Sequence, residues 1–324
     1  MTPLSPAGGG RAWVRVAGTA LALLLLIYLI RQQSWTEITA ALAHIPGWVF
    51  ALTILLALLS RVAVVARWWV LVRGAGVPLR WQDAARLTFA GLFASNFLPT
   101  TIGGDVVRLA GSLRLAGPAA VYAASIAVDR LVGMAGMVSA APLGLPAFLP
   151  WLRGASAMLA LPPMIGGITG AWGRVRDWTQ RALRSVGEAL RLWVRQPKWL
   201  AGAFACTWAY MLFKFAALAL FFHHLGEPIP FAQVAGLWSL VYFITLVPIS
   251  IGGLGLQEVS ASLIYSQVGG VSLSAALAAA LLLRTVEVLA SLPGALFVSD
   301  LMTVGRRTSE ASVDARPGSP PVSR

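Results

Sequence analysis

Apolar stretches of 18 residues or more recur along this chain, and that limits its fold more than any other feature. Residues 13–30 form one such run, and residues 48–72 form a longer one with Arg61 and Arg67 inside it. An α-helix rises 1.5 Å per residue, so about 20 apolar residues cross the roughly 30 Å hydrocarbon core of a bilayer. Hydrophobic residues make up 58% of the chain and charged ones 11%, against about 25% charged in a soluble domain. The expectation is an all-α, polytopic membrane protein.

The net charge of +13 does not point to nucleic acid. The arginines crowd the gaps between apolar runs, as loop-anchoring charges do, and form no solvated basic face. Cys206 is the single cysteine, which excludes an intrachain disulfide and a cysteine-based metal site. It is read as a small buried residue. His223 and His224 are read as interfacial residues just past a helix, so no metal, cofactor or catalytic group is expected. The run at 13–30 exceeds the 7–15-residue apolar stretch of a signal peptide and no Ala-x-Ala site follows it. It is read as a retained first helix.

Further spans are expected at 118–140, 155–170, 199–222 and 272–298. Residues 74–86 read as a polar connection, and residues 142–153, with Pro142, Pro146 and Pro150, as a Pro-rich one. Residues 87–98 and 231–247 are too short to cross and stop at Pro99 and Pro248. Residues 173–198 form a basic connector suited to the cytoplasmic face and to anionic headgroups. The expected domains are a cytoplasmic segment at 1–11, a membrane domain at 12–300 and a disordered cytoplasmic tail at 301–324. Placing the basic gaps inside gives six full spans plus two re-entrant hairpins, 87–114 and 231–268, entering from opposite sides. Both termini are then cytoplasmic, in a bacterial inner membrane.

The two stops match. Pro99-Thr100-Thr101-Ile102-Gly103-Gly104 and Pro248-Ile249-Ser250-Ile251-Gly252-Gly253 share their Pro, Ile and Gly positions, and Asp105 and Glu258 follow them. Proline removes a backbone donor and glycines allow close approach, so the freed polar groups must line a protein-enclosed or watery cavity. Paired interrupted helices in corresponding halves point to a transporter's midplane site; two packing kinks are the alternative.

An arginine or aspartate at the membrane centre costs about 2.5–3.5 kcal/mol on insertion scales. Arg61, Asp105, Arg108, Asp129, Arg130, Glu258, Arg284 and Glu287 are therefore expected to serve a cavity. The pairs Asp105/Arg108 and Arg284/Glu287, three residues apart, should each share a helix face. Arg61 and Arg67 have no acidic partner on their own helix. Arg67, beside Trp68 and Trp69, is expected to snorkel to the interface, and Lys214 to snorkel or pack. Arg61 is expected in the cavity, where a guanidinium fork suits a phosphate.

Four segments carry a family resemblance: Arg61-x5-Arg67-Trp68-Trp69; Asn96-Phe97-Leu98-Pro99-x3-Gly103-Gly104-Asp105-x2-Arg108; Asp129-Arg130-Leu131-x-Gly133; and Pro248-x3-Gly252-Gly253-x-Gly255-x2-Glu258. Together they resemble the transmembrane region of bacterial lysylphosphatidylglycerol synthases, flippase-like membrane proteins, over about residues 15–300. Thr100-Thr101 departs mildly from a common family pattern of Gly or Ser after the first proline. The resemblance implies movement of lipid between leaflets. It adds Asn96 and the break residues Pro99, Gly103, Gly104, Pro248, Gly252, Gly253 and Gly255 to the candidate site. The chain ends soon after its last span, so the soluble aminoacyltransferase activity of full synthases is not expected. Members without that domain are associated with varied lipids, so the partner could be a phospholipid, a hopanoid or a polyprenyl-linked carrier. Two alternatives remain: a non-transporting partner of lipid- or hopanoid-synthesis enzymes, and a membrane-embedded lipid-modifying enzyme.

Overall fold

The computed structural model describes residues 45–96, 103–155, 193, 195–246 and 255–297, and every regular element among them is helical. Helix α1 is Gly47–Gly74, α2 Trp81–Ser95, α3 Gly103–Ser112 and α4 Ala119–Ala140. A 3-10 turn, Ala141–Gly144, leads into α5, Leu145–Ala155. Then come α6 Pro197–His224, α7 Phe231–Thr245, α8 Leu256–Gln267 and α9 Leu273–Ser291. Among the described residues, four stretches are long and apolar enough to cross a membrane: Gly47–Gly74, Ala119–Trp151, Pro197–His224 and Leu273–Phe297. The expected spans at 13–30 and 155–170, the connector at 173–198 and the tail lie outside the described residues or nearly so. So do Pro99, Pro248, Gly252 and Gly253.

Helices α1 and α6 have the same length, 28 residues, or about 42 Å, and run antiparallel side by side. At one end Gly74 lies so close to Trp199 that an added Cβ would sit 2.7 Å from the Trp199 Cβ. In the middle Arg67 Nη1 donates to Thr207 Oγ1 at 3.4 Å. At the other end the rings of Trp48 and His224 meet edge-on at 5.6 Å.

Both helices end in the same way. Gly76 and Gly226 take φ of +83° and +80°, the left-handed conformation glycine adopts without penalty. The next amides, of Val77 and Glu227, reach back to the carbonyls of Val72 and Phe222. A proline follows in each loop, Pro78 and Pro228, and then a 15-residue helix, α2 or α7. The order long helix, short helix, short helix, long helix thus occurs twice, and its first members point in opposite directions. That geometry is an inverted repeat.

The short helices fold back in pairs. Gly104 of α3 lies against Gly91 and Ser95 of α2, while Arg108, one turn further on, lies beside Gly91. In the second pair Tyr265 Oη donates to the Val234 carbonyl at 2.7 Å, and Gln233 Nε2 to the Gly269 carbonyl at 3.1 Å. The start of α7 therefore faces the end of α8. At 15 and 10 residues, or about 22 and 15 Å, α2 and α3 are too short to span a bilayer alone. Because α1 and α6 are antiparallel, the two hairpins begin at opposite ends of the molecule.

Two expected connections turn out helical. Residues 81–86 form the first turns of α2, with Asp83 in the first turn, where a carboxylate suits the positive end of the helix dipole. Residues 142–153 continue from α4 through the 3-10 turn into α5. Pro142 and Pro146 sit in first turns, where a missing N–H costs nothing, although Pro150 lies inside α5. The Gly144 and Gly236 backbones meet there at a distance no side chain would permit. The largest apolar core joins α6 to α9 through Phe215, Leu218, Phe222, Trp238, Tyr265 and Leu283.

Candidate functional site

The buried charges of the first half form one chain of ion pairs across α1, α3 and α4. Arg67 Nε donates to Asp129 Oδ1 at 2.6 Å, and Arg108 Nη2 to Asp129 Oδ2 at 2.9 Å. Arg108 also lies 3.6 Å from Asp105, its neighbour three positions earlier. Asp105 Oδ2 accepts from Arg130 Nε at 2.6 Å. Asp129 and Arg130, adjacent in sequence, thus serve different partners. Arg67 does not snorkel: it is 9% exposed, because Asp129 on α4 supplies a carboxylate at its own depth. Gly133 leaves it room, since a Cβ there would lie 3.2 Å from Arg67 Nη1. The Arg108 guanidinium also sits over the Trp68 ring, 4.8 Å from its centroid, a cation–π contact. Trp68 Nε1 is held in turn by Ser125 Oγ at 3.0 Å.

These groups border a cavity of about 210 Å³. Arg61, Val64 and Arg67 enter it from α1, spaced by three on one helical face. Thr88, Gly91 and Ser95 come from α2, Gly104, Asp105 and Arg108 from α3, and Asp129, Arg130 and Gly133 from α4. Tyr210 of α6 and Tyr242 of α7 close it from the other half. Four arginines face two aspartates. Arg61 lies at the midpoint of α1, about 20 Å from either end. Among the described residues, Nε of Arg61 and of Arg108 has no acceptor.

A second cluster lies in the other half. Lys214 Nζ pairs with Glu287 Oε1 at 2.6 Å and rests 4.4 Å from the Trp238 ring centroid. Arg284 Nε lies 3.7 Å from Glu258 Oε1, and Gln257 Nε2 lies 3.5 Å from Glu287 Oε2. Lys214 is therefore a buried ion-pair member rather than a snorkelling residue, because Glu287 meets it inside the bundle. Glu287 and Glu258 each also meet a cation from another helix, Lys214 and Arg284 respectively. Arg61 joins the two clusters, its Nη2 reaching the Glu287 carbonyl at 3.5 Å.

Residues 15–294 match the protein family described as the lysylphosphatidylglycerol synthase TM region. The chain belongs to this family. No curated protein shows a significant match to it. Membership and the apolar helices together make this a membrane protein of a lipid-related family.

The family resemblance acquires a physical basis in this arrangement. Gly104 of the first break allows α3 to touch α2, and Asp105 and Arg108 follow on the cavity side. Gly255 has φ +77° and precedes α8, whose first turn carries the 2%-exposed Glu258. Of the nine charged or polar residues proposed from sequence, Arg61, Asp105, Arg108, Asp129 and Arg130 border the cavity. Glu258, Arg284 and Glu287 form the second cluster. Asn96 instead donates to Ser291 Oγ at 2.8 Å, tying the end of α2 to α9. Sequence reasoning named neither Thr88, Tyr210 nor Tyr242, and it placed Arg67 at the interface rather than in the cavity. Arg67 had a usable signal, its spacing of six from Arg61, whereas nothing local marks the tyrosines. The His pair closes α6 instead of following it: His224 Nδ1 lies 3.0 Å from the Leu220 carbonyl, an ordinary helix-end contact.

Proposed function

We propose that the protein translocates an anionic or modified lipid between the leaflets of a bacterial inner membrane, holding its headgroup in the arginine-lined cavity. The observation that carries this reading is the cavity itself. Arginines outnumber carboxylates two to one around a space bordered by helices that include long apolar ones. A guanidinium held at that depth is costly unless something anionic meets it. The inverted repeat supports the reading, since transporters of this plan place their sites at the repeat interface and rock one half against the other. A volume of about 210 Å³ falls below the roughly 300–1,000 Å³ of pockets for drug-sized ligands. It suits a headgroup, with the acyl chains left in the bilayer.

The loop charges give an orientation. The contacts Gly74–Trp199 and Val77–Gly117 gather Arg73, Arg80, Arg114 and Lys198 near one end. The stretches 223–230 and 268–272 at the other end contain no arginine or lysine. The basic end faces the cytoplasm by the positive-inside rule, and with the span expected at 13–30 crossing once more, both termini are cytoplasmic in this reading. The protein itself makes or breaks no bond in it. In vesicles reconstituted with the purified protein, Arg61→Gln and Arg108→Ala should abolish protein-dependent lipid exchange between leaflets. Unchanged rates in folded variants would overturn the proposal.

A further inference from the structure

We infer that the cavity selects a lipid whose headgroup ends in a phosphate monoester, a dianion, and discriminates against one bearing an added amine. The inference rests on the translocase reading and narrows its substrate class.

Three observations carry it. First, the charges do not balance. The cavity lining has two more arginines than aspartates, and the second cluster offers no relief, because Lys214 and Arg284 already match Glu287 and Glu258. Among the described residues of the two clusters, an excess of two positive charges therefore stays inside the bundle. Second, both cavity carboxylates are committed. Asp129 uses one oxygen for Arg67 and the other for Arg108, and Asp105 receives Arg130 and Arg108. An ammonium group entering the cavity would find four guanidinium groups and no uncommitted carboxylate. Third, Arg61 and Arg108 each keep a buried Nε with no acceptor among the described residues, and both line the space. Arg61 donates to a backbone carbonyl, that of Glu287, and the Glu287 carboxylate near it is already paired with Lys214.

The ligand chemistry follows. A phosphate monoester carries about 1.5 to 2 negative charges near neutral pH, close to the excess, whereas a phosphodiester carries one. Its three terminal oxygens suit fork-shaped donors converging from α1, α3 and α4. A phosphodiester with an added amine presents no net negative charge and places its cation among the arginines.

The test compares lipids on the full-length protein in detergent and in vesicles. Retention of phosphatidic acid, phosphatidylglycerol, phosphatidylethanolamine and lysylphosphatidylglycerol is measured by native mass spectrometry, with inorganic phosphate as a soluble competitor. Phosphatidic acid should be held roughly tenfold more tightly than phosphatidylglycerol, and the two amine-bearing lipids least. Arg61→Gln should erase that preference, and Arg61→Lys, which keeps the charge, should retain part of it. Equal retention of the amine-bearing lipids would overturn the selectivity while leaving translocation intact. Inorganic phosphate binding as tightly as phosphatidic acid would overturn the lipid source. Failure to exchange any of the four lipids between leaflets would defeat the translocase reading instead, with the binding order still readable.

Discussion

The two halves of this protein share a backbone plan and treat buried charge in opposite ways. In the first, α1, α3 and α4 hold a run of ion pairs with arginines in excess and leave a cavity beside it. In the second, Lys214, Glu258, Arg284 and Glu287 balance, and a core rich in Phe, Leu and Ala packs around them. A common fold thus fixes where helices turn back. The side chains then decide where arginines gather in excess beside a cavity and where the described charges balance.

Neutralising the shared acid should break this contrast most severely. Asp129→Ala strands both Arg67 and Arg108, and removing one partner of a buried pair typically costs about 3–5 kcal/mol. The variant should lose most of its folded, monodisperse protein in detergent. A thermal unfolding midpoint equal to the parent's would show that the network carries no structure. Glu287→Gln should cost less, because it breaks one close ion pair rather than two, and Lys214 keeps its contact with Trp238. The same thermal comparison should rank it between Asp129→Ala and the parent, and a loss as large as that of Asp129→Ala would mean the halves are equally dependent on charge.

Packing provides a gentler probe. Gly104→Ala places a methyl against the Gly91 carbonyl and Ser95 Oγ, and overpacking of this kind typically costs about 1–3 kcal/mol. The first hairpin should loosen, seen as faster amide exchange in α2 and α3 with little change in α7 and α8. The smallest effects should come from Gly76→Ala and Gly226→Ala. Both force a left-handed backbone on alanine, about 1–2 kcal/mol each, in loops with open space around the glycine. Equal shifts in unfolding midpoint are expected, and a large inequality would mean the two loops are not equivalent parts of a repeat.

Much of the fold was legible from residue order. Residues 48–72, 118–140, 199–222 and 272–298 mark the long helices within a few residues, because an apolar run of that length has few other solutions. The two Pro/Gly motifs lie between the short helices of each hairpin: α2 ends at Ser95 and α7 at Thr245, while Gly103 and Gly104 open α3. The helical stretch at 141–155 was hidden by its prolines, two of which sit in first turns and spare the hydrogen-bond ladder.

The charged residues divide differently. Sequence determined that Arg61, Asp105, Arg108, Asp129, Arg130, Glu258, Arg284 and Glu287 lie within or beside apolar helices, since their positions along those runs are fixed by the chain. Only the tertiary structure decided their partners. Asp129 serves Arg67 and Arg108 from elsewhere in the chain, Arg130 turns to Asp105, and Glu287 takes Lys214 from α6. Helix spacing constrains neighbours on one helix, whereas pairing across helices depends on how α1 and α6 lie against α3, α4 and α9. That arrangement is set by glycine contacts and apolar packing distributed over the chain, and it alone turns a scatter of costly charges into an arginine-rich cavity and a second ion-pair cluster.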